Sequence, residues 1–381
     1  MLKCIYVSVF GDERGKEVAL AGLKSKAKYV RSELGKRMKL RLTPEIRFLE
    51  DESIERGSRI ERTFVQVMAN SVLPTVDLSA YFNQGDEDGK KKAMLEIEEA
   101  CSEYGFFLAV NHGVPLELMS RALQVSKSFF ELPDQEKLKY SFKPGSSPPQ
   151  GFLPAPDDPT DRKEHLFMVP PYNSDSNYCP PAFQQILKDM FHYLSELGFL
   201  VESIINDCLG LPRDFLKEYN NNRSWDFIVS HHYFPAPETG YLEKTCHTDG
   251  NMITFVFTNG VEGLEVYKDG KWIPITPPDG SLVVNVGDII QVMSNDKFKS
   301  AIHRVVRPRG RSRYSYAFFY SVHGDKLVEP LPHFTIKKGE SPKYKGFLYK
   351  EYAQLRLRNR THPPASPEDL IGINHYAITN S

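Results

Sequence analysis

His247-Thr248-Asp249-Gly250-Asn251-Met252-Ile253-Thr254-Phe255-Val256-Phe257-Thr258 is the stretch on which the fold reading turns: an H-x-D tripeptide that runs directly into an apolar, β-branched segment. Working outward from it, short strand-like segments recur at Phe227 to Phe234, Met252 to Thr258, Leu264 to Tyr267, Trp272 to Ile275, Leu282 to Val286, Ile289 to Met293, Ala301 to Val306 and Ser315 to Ser321. Asp269-Gly270 and Asp279-Gly280 read as hairpin turns between them. Many short strands separated by turns predict a mainly β domain, a sandwich or double-sheet jelly roll.

The chemistry starts at the same tripeptide. Residues two apart on an extended chain point to one side, so His247 and Asp249 can face a common centre. His303 follows after 53 intervening residues, in a later strand, where it can approach from an opposite wall. Two imidazoles and one carboxylate on one face of a divalent iron leave three positions open. Zinc takes the same donors, and a hydrolase with metal-activated water is the alternative at this point. Arg313 and Ser315 favour iron chemistry: two apart on one strand, they can grip a carboxylate by ion pair and hydroxyl. A hydrolase has no use for that grip. Arg304, Arg307, Arg309 and Arg311 read as solvated.

Composition frames the rest. A chain of 381 residues with 40% apolar content supports one main domain plus an accessory piece. Net charge is −1, but residues 1–67 carry 15 Lys+Arg against 10 Asp+Glu while the remainder carries 33 against 39, which separates two pieces of different character. Five scattered cysteines without C-x-x-C spacing fit a reduced, cytoplasmic protein. Cys246 adjoins His247, but strand alternation points it away from the metal. No apolar run approaches the roughly 18 residues that span a bilayer, and no secretory core opens the chain.

Residues 1–67 predict a strand at Cys4–Phe10, a basic helix over about 15–37 and a strand at Ile46–Leu49. A second start at Met68 leads to a strand at Pro74–Ser79, a helix from Lys90 to Tyr104 and the strand Phe106–Val110. His112 in the following turn has no ligand partner at suitable spacing and reads as structural. Pro144 to Thr160 reads as a loop able to lie across a site. Apolar residues step by three and four from Phe183 to Cys208, which predicts one long helix or two meeting near Gly198. Another helix is expected at Tyr344–Arg358.

Residues Pro74 to Tyr376, about four-fifths of the chain, resemble the plant 2-oxoglutarate- and Fe(II)-dependent dioxygenases, the group containing flavanone 3-hydroxylase, flavonol synthase and anthocyanidin synthase. The likeness rests on Tyr104-Gly105-Phe106-Phe107, Val110-Asn111-His112-Gly113-Val114, Phe129-Phe130-Glu131-Leu132-Pro133, Gly263-Leu264-Glu265-Val266, Val283-Val284-Asn285-Val286-Gly287-Asp288 and Ser300-Ala301-Ile302-His303-Arg304-Val305. It implies a double-stranded β-helix core at 226–325, after a helical part at 68–225 and before a C-terminal helix at 340–381. It further implies iron on His247, Asp249 and His303, 2-oxoglutarate on Arg313 and Ser315, and ascorbate as reductant. O₂ would drive hydroxylation, desaturation, cyclisation or demethylation of a hydrophobic plant metabolite (flavonoid, terpenoid, alkaloid or hormone), with release of succinate and CO₂. Asp249 argues against a halogenase, which needs that position vacated. Phe152, Phe167 and Phe319 are candidate pocket walls, with ordinary core as the equal alternative for each. One departure stands out: where many relatives have N-Y-Y-P, this chain has His232-Tyr233-Phe234-Pro235. Tyr233 is the phenol left for the co-substrate, although alternation turns it to the other side, and His232 or Asn251 are the substitutes.

Residues 1–67 resemble the C-terminal half of ribosome-binding factor A through Lys28-Tyr29-Val30-Arg31-Ser32-Glu33-Leu34-Gly35-Lys36-Arg37, Leu42-Thr43-Pro44-Glu45-Ile46-Arg47-Phe48 and Asp51-Glu52-Ser53-Ile54-Glu55-Arg56-Gly57. The resemblance implies a small α+β KH-like piece lacking its opening helix and strand, hence a carrier or gene-model fusion more than a working nucleic-acid module. The expected partners are small molecules, with neither membrane nor RNA. The alternatives are an aminocyclopropanecarboxylate-oxidase-like iron oxidase that does not use 2-oxoglutarate, and an RNA- or ribosome-binding module in residues 1–67.

Overall fold

A computed structural model describes residues 3–7, 46–50, 73–142, 145–156, 162–171, 179–236, 246–361 and 370–378. The chain divides into two units, residues 1–71 and 72–381. In the first, β1 (Lys3–Val7) and β2 (Ile46–Glu50) pair in parallel. The basic helix expected at 15–37 lies outside the described residues, as does most of the KH-like piece.

The second unit runs β3 (Thr75–Asp77), α1 (Glu87–Glu103), β4 (Phe106–Val110), α2 (Leu116–Phe130), α3 (Asp134–Lys137), β5 (Gly151–Leu153), β6 (Lys163–Met168), α4 (Gln184–Leu209), α5 (Phe215–Tyr219) and β7 (Phe227–Tyr233). It continues through β8 (Ile253–Thr258), β9 (Leu264–Lys268), β10 (Lys271–Pro274), β11 (Leu282–Val286), α6 (Asp288–Met293), β12 (His303–Val305), β13 (Arg313–Tyr320), β14 (Leu327–Val328), β15 (Phe347–Leu348) and α7 (Tyr349–Thr361). Eight strands form one sheet in the order β3-β4-β11-β8-β13-β7-β6-β5, and β10-β9-β12 form a short second sheet. This is the double-stranded β-helix with flanking helices.

Strand β13 shows why the sheet organises the site. All eight of its residues are buried. Tyr314, Tyr316, Phe318 and Tyr320 join the large core shared with the helices, whereas Arg313, Ser315, Ala317 and Phe319 face a cavity on the other side. A strand covered on both faces reads as a continuous apolar run, so its two faces are separable only by register.

The helices cover the outer face. Asp86 caps α1 by accepting from the amide of Gly89 at 2.9 Å, which starts the helix three residues before the expected Lys90. Helix α4 is one unbroken rod that ends on Gly210 in the left-handed region, φ +69. Gly198 does not break it. A Cβ there would lie 2.4 Å from the Tyr320 ring, so the glycine lets sheet and helix approach.

Several expectations are corrected. Ile289–Met293 is helix α6, not a strand: a short apolar run cannot tell the two apart, and close packing of Gly287, whose Cβ would lie 2.1 Å from the Asn251 carbonyl, turns the chain out of the sheet. Asp269-Gly270 does join the paired β9 and β10, but Asp279-Gly280 precedes a crossing from one sheet to the other and closes no hairpin. The part expected as helical, 68–225, also supplies β3, β4, β5 and β6 to the main sheet. Among the described residues of 340–381 the α-helix is α7 alone, and Phe347–Leu348 ahead of it is taken by pairing with β14.

Candidate metal centre and anion pocket

His247 lies just outside the regular strands, but its amide and carbonyl exchange hydrogen bonds with His303 at 3.0 and 2.8 Å. The two imidazoles therefore rise from one cross-strand pair, with ring centroids 4.4 Å apart. Asp249, two residues on, brings Oδ1 to 3.7 Å from His247 Nε2 and 3.6 Å from His303 Nε2. One ligand atom from each residue falls within 4.8 Å of the others.

Hydrogen bonds from neighbouring side chains and backbone orient these donors. Asp249 Oδ2 accepts from Thr254 Oγ1 at 2.7 Å and Asn285 Nδ2 at 2.9 Å, which leaves Oδ1 turned to the imidazoles. Burial alone would raise the Asp249 pKa, but His303, His247, Asn285 and Thr254 outweigh it and hold the carboxyl at about 2. His303 Nδ1 lies 3.1 Å from the Ala301 carbonyl, which can only accept, so Nδ1 is the donor there and Nε2 is the nitrogen turned towards Asp249. Asp249 and His303 are buried while the His247 side chain is 39% exposed, so the cluster opens on one side. An ionised carboxylate, two imidazole nitrogens and an open face fit a divalent iron.

Arg313 begins β13 and is 1% exposed. Its Nε donates to the Val261 carbonyl at 3.2 Å, one terminal nitrogen donates to Ser315 Oγ at 3.1 Å, and the guanidinium sits 5.1 Å from the Tyr233 ring centroid. No carboxylate among the described residues pairs with it. Burial lowers its pKa, with Tyr233 opposing. A buried cation without a counter-ion is costly, and an incoming carboxylate would neutralise it.

Register corrects the expectation for Tyr233. Strand β7 pairs with β13 as Arg313↔Tyr233 and Ser315↔His231, and directly opposed residues share a face. Tyr233 thus faces the cavity with Arg313. His232 takes the other side, stacked on Tyr314, with Nδ1 3.0 Å from Glu164 Oε2 and Nε2 3.1 Å from Ser312 Oγ. Asn251 donates to the Ile253 carbonyl at 2.7 Å and to Thr254 Oγ1 at 3.2 Å, a brace behind Asp249. Nor are all the nearby arginines simply solvated: Arg304 pairs with Glu265 at 2.7 Å and covers Trp272, and Arg307 donates to the Phe234 carbonyl at 2.9 Å. Arg309 and Arg311 are exposed.

Both corners open into one cavity of about 1920 Å³. Phe167 and Phe319 turn into it, and Phe227 stacks on Phe319 with centroids 4.6 Å apart. Phe152 borders it from the helix side, against Phe129 and Phe130. Residues 147–149 and 152–156 of the expected loop line it too. Sequence reading missed His165 and His231, cavity residues whose Nδ1 atoms lie 2.7 Å apart, along with Thr254 and Asn285. Strand register brings these together, and no local motif signals it. Cys246 is exposed at the cavity rim, outside the three-residue cluster. His112 is structural, its Nε2 2.9 Å from the Gly280 carbonyl. Among the described residues no helix is long and apolar enough to cross a membrane.

Comparison with known proteins agrees with this geometry. Residues 224–322 match the 2OG-Fe(II) oxygenase superfamily, 73–200 the non-haem dioxygenase in morphine synthesis N-terminal region, and 3–64 ribosome-binding factor A. A flavonol synthase/flavanone 3-hydroxylase of Arabidopsis thaliana is 32% identical over 299 residues, 75% of this chain and 86% of that protein. The 2-oxoglutarate-dependent dioxygenase 19 of Oryza sativa subsp. japonica is 30% identical over 80% of this chain and 91% of its own length. The crystal structure of JOX2 in complex with 2OG, Fe and JA superposes with a TM-score of 0.68 at 27% identity, covering 81% of this chain and 89% of that one.

Proposed function

The chain belongs to the 2-oxoglutarate- and Fe(II)-dependent oxygenase superfamily and is a non-haem iron dioxygenase, and from that premise we propose how its own residues divide the work. His247, Asp249 and His303 hold the iron, and Arg313, Ser315 and Tyr233 hold the far carboxylate of 2-oxoglutarate. When bound, the iron couples oxidative decarboxylation of 2-oxoglutarate by O₂, to succinate and CO₂, to removal of hydrogen from an organic substrate. Thr254 and Asn285 keep Asp249 ionised and aimed. The observation that carries the co-substrate reading is the buried guanidinium of Arg313, which has no carboxylate partner among the described residues.

The organic substrate is a hydrophobic plant metabolite of the flavonoid, terpenoid, alkaloid or hormone classes. The reading is supported by the cavity-facing Phe167 and Phe319 and by relatives named for flavonoid oxidation. The outcome is hydroxylation, desaturation, cyclisation or demethylation. Ascorbate keeps the iron reduced, the enzyme works in the cytoplasm, and residues 1–67 are a carrier piece without a nucleic-acid role.

Incubation with a plant metabolite extract, Fe(II), ascorbate and 2-oxoglutarate should give a product that has gained an oxygen, lost two hydrogens or lost a methyl group, with stoichiometric succinate. Iron-dependent turnover without succinate would overturn the co-substrate assignment in favour of an aminocyclopropanecarboxylate-oxidase-like reaction. Removal of residues 1–67 should leave turnover intact; RNA binding that disappears with them would contradict the carrier reading.

A further inference from the structure

We infer that Arg356, on α7, is a positioning residue for the metal: it holds the peptide between His247 and Asp249 and so sets the direction from which the aspartate meets the ion. The inference rests on the reading of His247, Asp249 and His303 as the metal ligands.

The H-x-D segment needs such a hold because it lies outside the regular ladder. The His247 backbone is fixed by its reciprocal bonds to His303, and the Asp249 carbonyl accepts from the amide of Asp288 at 2.8 Å. Between them lies the Thr248–Asp249 peptide. Its carbonyl, on Thr248, accepts from a terminal nitrogen of Arg356, and the other terminal nitrogen lies 3.4 Å from Thr248 Oγ1. Rotating this peptide would swing the Asp249 side chain, so a charge-assisted bond to its oxygen resists misplacement of the ligand.

Further contacts make the arrangement a built one. Arg356 faces Asp288 at 3.9 Å, the same residue whose Oδ2 accepts from Thr248 Oγ1 at 3.2 Å and from Tyr352 OH at 2.5 Å. Asp288 is fully buried, so the guanidinium also neutralises a charge that water cannot reach. Gly250 lies against the same side chain: a Cβ there would be 3.5 Å from Arg356 Nε. One arginine therefore binds the residue before Asp249 and borders the space beside the residue after it, from a helix more than a hundred positions away in sequence. Loss of a group that orients a metal ligand typically lowers metal affinity about 10- to 100-fold.

The test is calorimetric titration of Mn(II), as a stand-in for Fe(II), into the metal-free full-length protein, with thermal unfolding followed alongside. Arg356→Met is expected to weaken Mn(II) binding about 10- to 100-fold. Arg356→Lys keeps the charge opposite Asp288 but cannot span carbonyl and hydroxyl as a fork, so its affinity should fall between the two; it also serves if the methionine variant does not fold. Tyr352→Phe removes a hydroxyl from the same Asp288 and leaves the Thr248 contact, so it should lower the melting temperature and keep the starting Mn(II) affinity. Unchanged Mn(II) affinity in both Arg356 variants would overturn the inference, as would equal losses in Arg356→Met and Tyr352→Phe, the sign of general packing. Undiminished binding in Asp249→Ala would instead remove the ligand assignment beneath it.

Discussion

Lys137 and Arg313 are two buried cations packed on opposite faces of the same sheet, both bordering the cavity, and among the described residues only Lys137 has carboxylate partners. On the helix face, Lys137 meets Glu164 at 2.6 Å and Asp134 at 3.0 Å, Glu164 passes its other oxygen to His232, and His232 ends on Ser312. On the cavity face, one register step away, Arg313 has a carbonyl, a hydroxyl and an aromatic ring for company. A buried charge completed by the chain serves the architecture; one left incomplete at the wall of a cavity is a receptor for a ligand of opposite sign.

The sharpest way to separate architecture from reception is to compare losses of binding with losses of stability. Asp249→Ala should have the largest effect, abolishing Mn(II) binding and turnover while the fold persists; metal retained in that variant would contradict the ligand set. Lys137→Met should cost about 3 kcal/mol of stability in urea unfolding, because it strands Glu164 in the interior, and should leave Mn(II) and 2-oxoglutarate affinities unchanged. A fall in 2-oxoglutarate affinity without a stability loss would erase the distinction between the two faces.

A third buried charge provides a control far from the site. Burial pushes Glu202 up to about 7, against hydrogen bonding from Tyr320 OH at 2.7 Å and the field of Arg223. Its folded pKa exceeds the ordinary 4.5, so the stability it contributes is present below about pH 4.5 and is lost as pH rises through 7. Glu202→Gln should therefore stabilise the protein by about 2 kcal/mol at pH 8 and hardly at all at pH 4.5, as thermal melts would report. A gain independent of pH would contradict the assignment. Smallest of all, Tyr233→Phe should weaken 2-oxoglutarate by about 1 kcal/mol, several-fold in Kd, with Mn(II) affinity retained.

The parts of this division that were legible in sequence are those carried by short-range pattern. His247, Asp249, His303, Arg313 and Ser315 announce themselves by spacing and residue type, and the β-rich core by its alternation of strands and turns. What stayed hidden depends on register. Tyr233 falls on the wrong face when alternation is counted from Phe234, the position of the relatives' second tyrosine, whereas pairing with Arg313 decides it. Glu164, Asn285 and Arg356 look like ordinary polar residues until the sheet and α7 bring them to His232, Asp249 and Thr248. Ile289–Met293 misled for a different reason: its apolar run is compatible with either period, and only the tight passage at Gly287 selects the helix.

Titrating 2-oxoglutarate into the Mn(II)-loaded protein and its Arg313→Met variant tests most directly whether the buried Arg313 guanidinium is the dicarboxylate receptor. The variant should bind Mn(II) as the starting protein does and 2-oxoglutarate about 100-fold more weakly, the loss expected when one partner of a buried charge pair is removed. Equal 2-oxoglutarate affinity in the two proteins would contradict it.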